Sequence, residues 1–125
     1  MSEKIRIAVP TNGPGGIDAP RSAHFGHADS FTVVDVIDGQ VEGAEAMVNP
    51  PHAHGGCGMT VAMLSSAGVD SAIVVGMGGG PLSAMSRSGM KAFFDDQSPT
   101  PRAAVEAFLA GKLSEFGGDH VCAGH

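Results

Sequence analysis

The sequence predicts an α/β protein, a three-layer domain on a mixed sheet of about five strands. Three observations predict it. The β-branched and aromatic run from Phe31 to Ile37 leads into Asp38-Gly39, a strong two-residue hairpin signal, so antiparallel pairing comes early. The stretch Asp70 to Val75 is a continuous apolar run that passes straight into a glycine loop, as strands of buried parallel sheets do. From there helical and strand patterns alternate, which calls for right-handed crossovers.

Residues 4–9 alternate apolar with polar or small side chains and stop at Pro10, the pattern of a first strand. Residues 11–29 are rich in Gly, Pro, Asn, Asp and Ser and read as a long loop, of the kind that is functional or mobile in a small domain. The hairpin follows: Phe31 to Ile37, the turn, and a weaker returning strand over 40–48 that ends at Asn49-Pro50-Pro51. Residues 58–67 look helical, with Gly68 as the C-terminal cap. The strand at 70–75 is followed by Gly76-Met77-Gly78-Gly79-Gly80-Pro81, a loop opening a short helix near 81–88. Met90 to Phe94 is a last strand. Thr100 then caps a helix with Pro101 at its first position and Val105, Phe108 and Leu109 on one face, closed at Gly111. Residues 1–113 are expected to form the domain, and residues 114–125 a flexible tail, because Gly117-Gly118 and the polar end offer little to bury.

At 125 residues the chain suits one domain. It has no Trp or Tyr and only six Phe, so Ala, Val and Met must fill much of the core. A formal charge of −6 argues against a nucleic-acid partner, which would meet a basic face. The charges of Glu3 and Lys4 stand where a signal peptide would be apolar, and no apolar run approaches the ~18 residues of a membrane helix. Two cysteines are too few for a disulfide framework, and a cytoplasmic protein with reduced thiols is the expectation.

The six histidines and two cysteines fall into three short clusters: His24 with His27; His52, His54 and Cys57; and His120, Cys122 and His125. Imidazole and thiolate are the ligands of borderline and soft metals, so grouping beside glycines points to a metal centre. Cys57 stands at an expected helix start, where the helix dipole favours a thiolate. His52 and His54 lie close enough to converge with it on one ion. His24 and His27 have the spacing of one turn, although surface histidines flanking a packed Phe25 would give the same pattern. The tail cluster could chelate or stay unstructured. The glycine loop could cradle an anion with its N–H groups, but it lacks the Lys and Ser/Thr of a phosphate loop, so a nucleotide is not expected. The first strand, Ile5 to Pro10, carries no acid for a carboxylate-held metal and no serine sits in a G-x-S-x-G elbow, so an enzyme is not expected.

Four motifs occur in order: Ser22-Ala23-His24-Phe25-Gly26-His27, His54-Gly55-Gly56-Cys57-Gly58-Met59, Gly76-Met77-Gly78-Gly79-Gly80 and Ala107-Phe108-Leu109-Ala110-Gly111-Lys112-Leu113. Together they resemble the dinitrogenase iron–molybdenum cofactor-binding (cofactor biosynthesis) family over residues 4–113. The resemblance implies a ribonuclease-H-like α/β fold, with His24, His54, Cys57 and the glycine loops facing a metal–sulfur cluster. The chain departs from the family at two places. His27 stands where a basic residue such as Arg often follows His-Phe-Gly, and Gly79 where the glycine loop usually has Pro.

A cubane iron–sulfur cluster takes four thiolates, and this chain has two cysteines. Cysteine alone in one chain cannot hold it. Imidazoles, a second chain, or backbone amides around a preformed anionic cluster must do so, with Arg21 and the histidines adding positive potential. The expectation is therefore a non-enzymatic carrier, storage or assembly protein for a cluster of iron, molybdenum or copper. Its metal ligands would be His24, His27, His52, His54, Cys57 and Cys122. Gly26, Gly55, Gly56, Gly58, Gly78, Gly79 and Gly80 would bring backbone to the cluster. A donor or acceptor protein for the cluster is the expected partner, with no nucleic acid and no membrane. The alternatives are a simple Zn or Cu ion site and a regulatory interaction module.

Overall fold

A computed structural model describes residues 4–25, 28–49, 56–77 and 79–116. In chain order the elements are β1 (Lys4–Thr11), β2 (Ser30–Ile37), β3 (Gln40–Val48), α1 (Gly56–Ser66), β4 (Ser71–Val74), α2 (Gly79–Arg87), β5 (Lys91–Phe94), α3 (Pro101–Leu109) and β6 (Ser114–Glu115). They make one mixed sheet in the order β3-β2-β1-β4-β5-β6. β1 is antiparallel to β2 and parallel to β4, and β4 is parallel to β5. Since β3 is antiparallel to β2, β1, β3, β4 and β5 all run in one direction. This is the expected three-layer α/β architecture and ribonuclease-H-like strand arrangement, with a sixth strand added at one edge.

Local chemistry accounts for most element ends. Asp38 and Gly39 both take positive φ (52° and 80°), the turn that suits a right-twisted hairpin. Across it Asp35 pairs with Gly43 but Val36 with Val41, so Glu42 is an extra residue that bulges the edge strand. α1 closes as expected at Gly68, while Thr100 caps α3 by accepting a hydrogen bond from the Ala103 N–H at 3.2 Å. α1 and α2 begin about two residues earlier than the expected 58 and 81: Gly56 and Gly79 are already helical, so Cys57 lies inside the first turn of α1 rather than just before it, and Gly80 inside that of α2 rather than in the glycine loop. Glycine disfavours helix interiors, but the first-turn positions follow from how the helix must dock.

The two faces of the sheet carry separate cores. On one, Val61 and Leu64 of α1 and Met85 of α2 pack onto Ala8, Val33, Ala72 and Val74 together with Phe25 and Phe31. On the other, Ala104 and Val105 of α3 cover Ile7, Val9, Val34, Val36 and Ile73. Phe108 meets Phe93 edge to face at 4.8 Å, whereas Leu109 is partly exposed. At the amino end of β1, Arg6 ties the sheet to the end of α1: its guanidinium bonds Asp35 at 2.7 Å, Glu45 at 2.5 Å and the Ala67 carbonyl.

Residues 114–116, expected in the tail, belong to the sheet. Ser114 and Glu115 pair with Phe94 and Phe93, and Phe116 is buried with its N–H on the Ala92 carbonyl. Two residues carry no strand pattern, so burial of Phe116 is what attaches them. Residues 117–125, with Cys122, lie outside the described residues.

Candidate functional site

The carboxyl ends of β1, β4 and β5 and the starts of all three helices share one end of the sheet. In open α/β folds this end is where ligands bind, because loops diverge there and helix N-termini present unpaired N–H groups. Residues 12–25 cross this end from one face to the other as a strap, and Ala28 and Asp29 precede β2. On the α3 face Ile17 joins the apolar core, its carbonyl accepts the Arg102 N–H at 2.9 Å, and Asp18 takes a two-pronged contact from the Arg102 guanidinium. Buried hydroxyls hold the strap there: Thr11 Oγ1 lies 2.7 Å from Ser30 Oγ, and Thr32 Oγ1 accepts the Gly16 N–H at 2.9 Å. Gly15 sits so close, at φ +84°, that a Cβ there would lie 2.8 Å from Ser30 Oγ.

Over the top of the sheet the strap runs beside the end of β1. Pro20 accepts the Asn12 N–H at 3.0 Å, Arg21 bridges to Thr11, and the Ser22 N–H bonds the Pro10 carbonyl at 2.9 Å. It then descends on the α1–α2 face, where Phe25 is fully buried edge-on to Phe31 at 5.2 Å. Burying Phe25 leaves His24 exposed beside it, with Ser22 Oγ accepting the His24 N–H at 3.2 Å. The strap is thus anchored on both faces, and His24 is displayed on the side of α1 and α2.

One side chain joins the residues before β2 to α1. Asn49, just past β3, donates from Nδ2 to the Ala28 carbonyl at 2.8 Å and accepts at Oδ1 from the buried Thr60 hydroxyl at 2.9 Å. Its own N–H bonds the Asp29 carbonyl at 3.2 Å. Ala28 follows His27 in the chain, and Thr60 is one turn beyond Cys57. The Asn49 carboxamide therefore fixes Ala28 against Thr60 of the helix that carries Cys57. Sequence alone gives Asn49 a different role, as the residue that stops a strand before Pro50. A threonine set among apolar residues in the first half of α1 was the available hint.

Arg21 carries a second tie. Its guanidinium donates to Asp95 Oδ2 at 2.8 Å, the Asp95 carbonyl at 2.9 Å and the Ser98 carbonyl at 3.0 Å, binding the strap to the segment between β5 and α3. Both side chains are almost completely buried. The positive charge expected of Arg21 at the site is consequently matched by Asp95, and the sequence did not single out Asp95 at all.

Of the predicted residues, His24 is on the strap, Gly56, Cys57 and Gly58 are in the first turn of α1, and Gly79 and Gly80 in that of α2. α1 and α2 pack against each other, so both helix starts open at the same end. Gly26, His27, His52, His54, Gly55, Gly78 and Cys122 lie outside the described residues. Among the described residues no three His, Cys, Asp or Glu side chains gather as a metal site.

Residues 3–111 match the family described as dinitrogenase iron-molybdenum cofactor. The chain belongs to that family. Among solved members of this fold, the orange protein of Desulfovibrio gigas in its apo form is 30% identical, with a TM-score of 0.80 over 94% of this chain and 98% of that one. A Thermotoga chain described as a candidate NifB protein is 28% identical, with a TM-score of 0.69 over 89% and 92%. An uncharacterized protein of Methanocaldococcus jannaschii is 26% identical over 115 residues, 90% of this chain and 92% of that protein. The family likeness spans the strap, the starts of α1 and α2, and the whole of α3. No described helix is long and apolar enough to cross a membrane.

Proposed function

We propose that this member of the dinitrogenase iron-molybdenum cofactor family is a carrier, storage or assembly protein for a preformed metal–sulfur cluster of iron, molybdenum or copper, and not an enzyme. The observation that carries this reading is the Asn49 tie. It joins Ala28, just after the strap that displays His24, to Thr60 of the helix that bears Cys57, at the sheet end where two glycine-rich helix starts open. His24, His54 and Cys57 are the ligands proposed for the cluster, with His27 and His52 as further donors and Cys122 as an optional one. Helix-start amides near Gly56, Gly58, Gly79 and Gly80, with the glycines Gly26, Gly55 and Gly78, would hydrogen-bond anionic sulfides. Such amides suit a chain of net charge −6, which otherwise repels an anionic cargo. Delivery to or from a second protein follows from the carrier role.

Anaerobic isolation with metal and acid-labile sulfide analysis tests the reading. The expected result is a metal–sulfide chromophore, either as isolated or on reconstitution with iron or with copper and tetrathiomolybdate. Failure to retain any of these metals together with sulfide refutes it, and one metal ion bound without sulfide supports a simple ion site instead. Cys57→Ala is expected to lower cluster retention more than Cys122→Ala, because Cys57 is carried by a helix start docked through Thr60. Equal losses would contradict that ranking.

A further inference from the structure

β3 is one edge of the sheet, and its pairing with β2 fixes which of its backbone groups face outward. The Asn49 N–H bonds the Asp29 carbonyl, and the register runs on as Val48 to Ser30, Met47 to Phe31, Ala46 to Thr32 and Glu45 to Val33. Hydrogen-bonded and non-bonded positions alternate along an antiparallel pair, so Met47 and Glu45 bond β2 as Asn49 does. Ala44, Ala46 and Val48 therefore turn their N–H and C=O groups away from the sheet. The other side of β2 gives the same phase. The carbonyls of Arg6 and Pro10 point away from β2, accepting from Asp70 and Ser22, so Ile7, Val9 and Thr11 bond β2 at Val34, Thr32 and Ser30. Phe31 and Val33 are left to bond β3.

Sheet edges usually carry a charge, a proline or a bulge that stops another strand from adding. In β3 the bulge at Glu42 lies before Ala44, and the three outward positions that follow carry no charge. Glu45 turns to the α1 face, where Arg6 holds it at 2.5 Å, and Met47 packs on the same face. The other face shows two alanines and Val48, which at 80% exposure is the most exposed large hydrophobic side chain among the described residues. β6, at the opposite edge, is two residues long and offers no comparable ladder.

We propose that β3 is a pairing edge for β3 of a second copy, the two strands running antiparallel about a two-fold axis at Ala46. Ala46 then faces Ala46 of the second copy, and by symmetry each Ala44 faces the other copy's Val48. Val48 packs over a residue small enough to admit it, and Glu45 lies opposite Met47. An axis at Glu45 would set two carboxylates directly opposite each other, and an axis at Met47 would set Ala44 against Pro50, which has no N–H to give. The edge is thus self-complementary in one register. Three ladder pairs supply about six backbone hydrogen bonds over a small area, so a reversible contact with a Kd of about 10–100 µM is expected for chains of charge −6. Because the two β3 strands run oppositely, the candidate sites lie at opposite ends of the joined sheet, and this edge brings no two Cys57 residues onto one cluster. The inference does not depend on what the site binds.

Sedimentation velocity of the metal-free protein, with thiols kept reduced, is run from about 20 µM to about 1 mM alongside hydrogen exchange of the ¹⁵N-labelled backbone. The expected result is a shift from monomer toward dimer with concentration, and exchange at the Ala44, Ala46 and Val48 amides slowed about threefold or more between the two limits. Ala46→Pro removes one outward N–H and leaves the bonds to β2 in place, and is expected to stay monomeric with the far-UV spectrum of wild type. A monomer throughout the range overturns the proposal. So does a dimer in which these three amides exchange no more slowly, or one that a folded Ala46→Pro forms equally well. If that variant fails to fold, exchange in the wild-type protein decides alone.

Discussion

At the scale of single residues, the Asn49 carboxamide serves a carbonyl with one end and a hydroxyl with the other, so its value lies in having both a donor and an acceptor. Asn49→Asp keeps the acceptor for Thr60 but sets a carboxylate against the Ala28 carbonyl. The expected cost is about 1–3 kcal/mol, the range for leaving buried partners unsatisfied. The urea midpoint should fall with the slope unchanged, since the same surface is exposed on unfolding. An unmoved midpoint would show that the tie contributes nothing. The same scale limits what can be read from sequence. His24 was legible as a ligand candidate because its chemistry is intrinsic to imidazole. Asn49 was not, because its role depends on two partners 21 and 11 residues away.

At the scale of elements, α3 was legible in almost every detail and α1 was less so. Thr100, Pro101 and the spacing of Val105 and Phe108 are local signals, and each acts within one or two turns. Thr100→Ala is expected to cost about 1 kcal/mol, with Thr100→Ser close to wild type, because the cap needs a hydroxyl oxygen facing the Ala103 N–H. Thermal unfolding of the two variants checks this, and equal melting temperatures would remove the cap as a source of stability. The start of α1 lacks such signals. Its glycines suggest a loop, and the helix reaches Gly56 in the fold that the Thr60–Asn49 bond secures. β6 is a stronger case, since two residues become a strand only because β5 offers an edge and Phe116 a place to bury.

At the scale of the molecule, the Arg21–Asp95 pair joins residues 74 apart and holds the strap to the β5–α3 segment. Burial pushes the Asp95 carboxyl up and is the largest single influence on it. Hydrogen bonds involving Ser98, Arg21 and Gln97 together outweigh it and hold the group below the ordinary carboxylate range. A carboxylate with a depressed folded-state pKa stabilises the fold above its unfolded pKa, and that contribution is lost as pH falls through the folded value. Asp95→Asn should therefore be less stable than wild type near neutrality, with the difference shrinking in acid. Urea unfolding across a pH series measures it. Curves that stay parallel down to acid pH would show that Asp95 is not titrating against this tie.

The sequence by itself determined the strand and helix order, the hairpin, the α3 cap and the His/Cys candidates, and with them the family. Each rests on side chains within a few positions of one another, where periodicity, turn geometry and intrinsic ligand chemistry decide. Only the tertiary structure decided that the glycine-rich segment is a strap anchored on both faces. It also decided that Arg21 is neutralised by Asp95, that Asn49 ties Ala28 to Thr60 of α1, and that residues 114–116 close the sheet. These depend on which distant groups share a buried space, where an unpaired donor or acceptor is costly and a satisfied one fixes position.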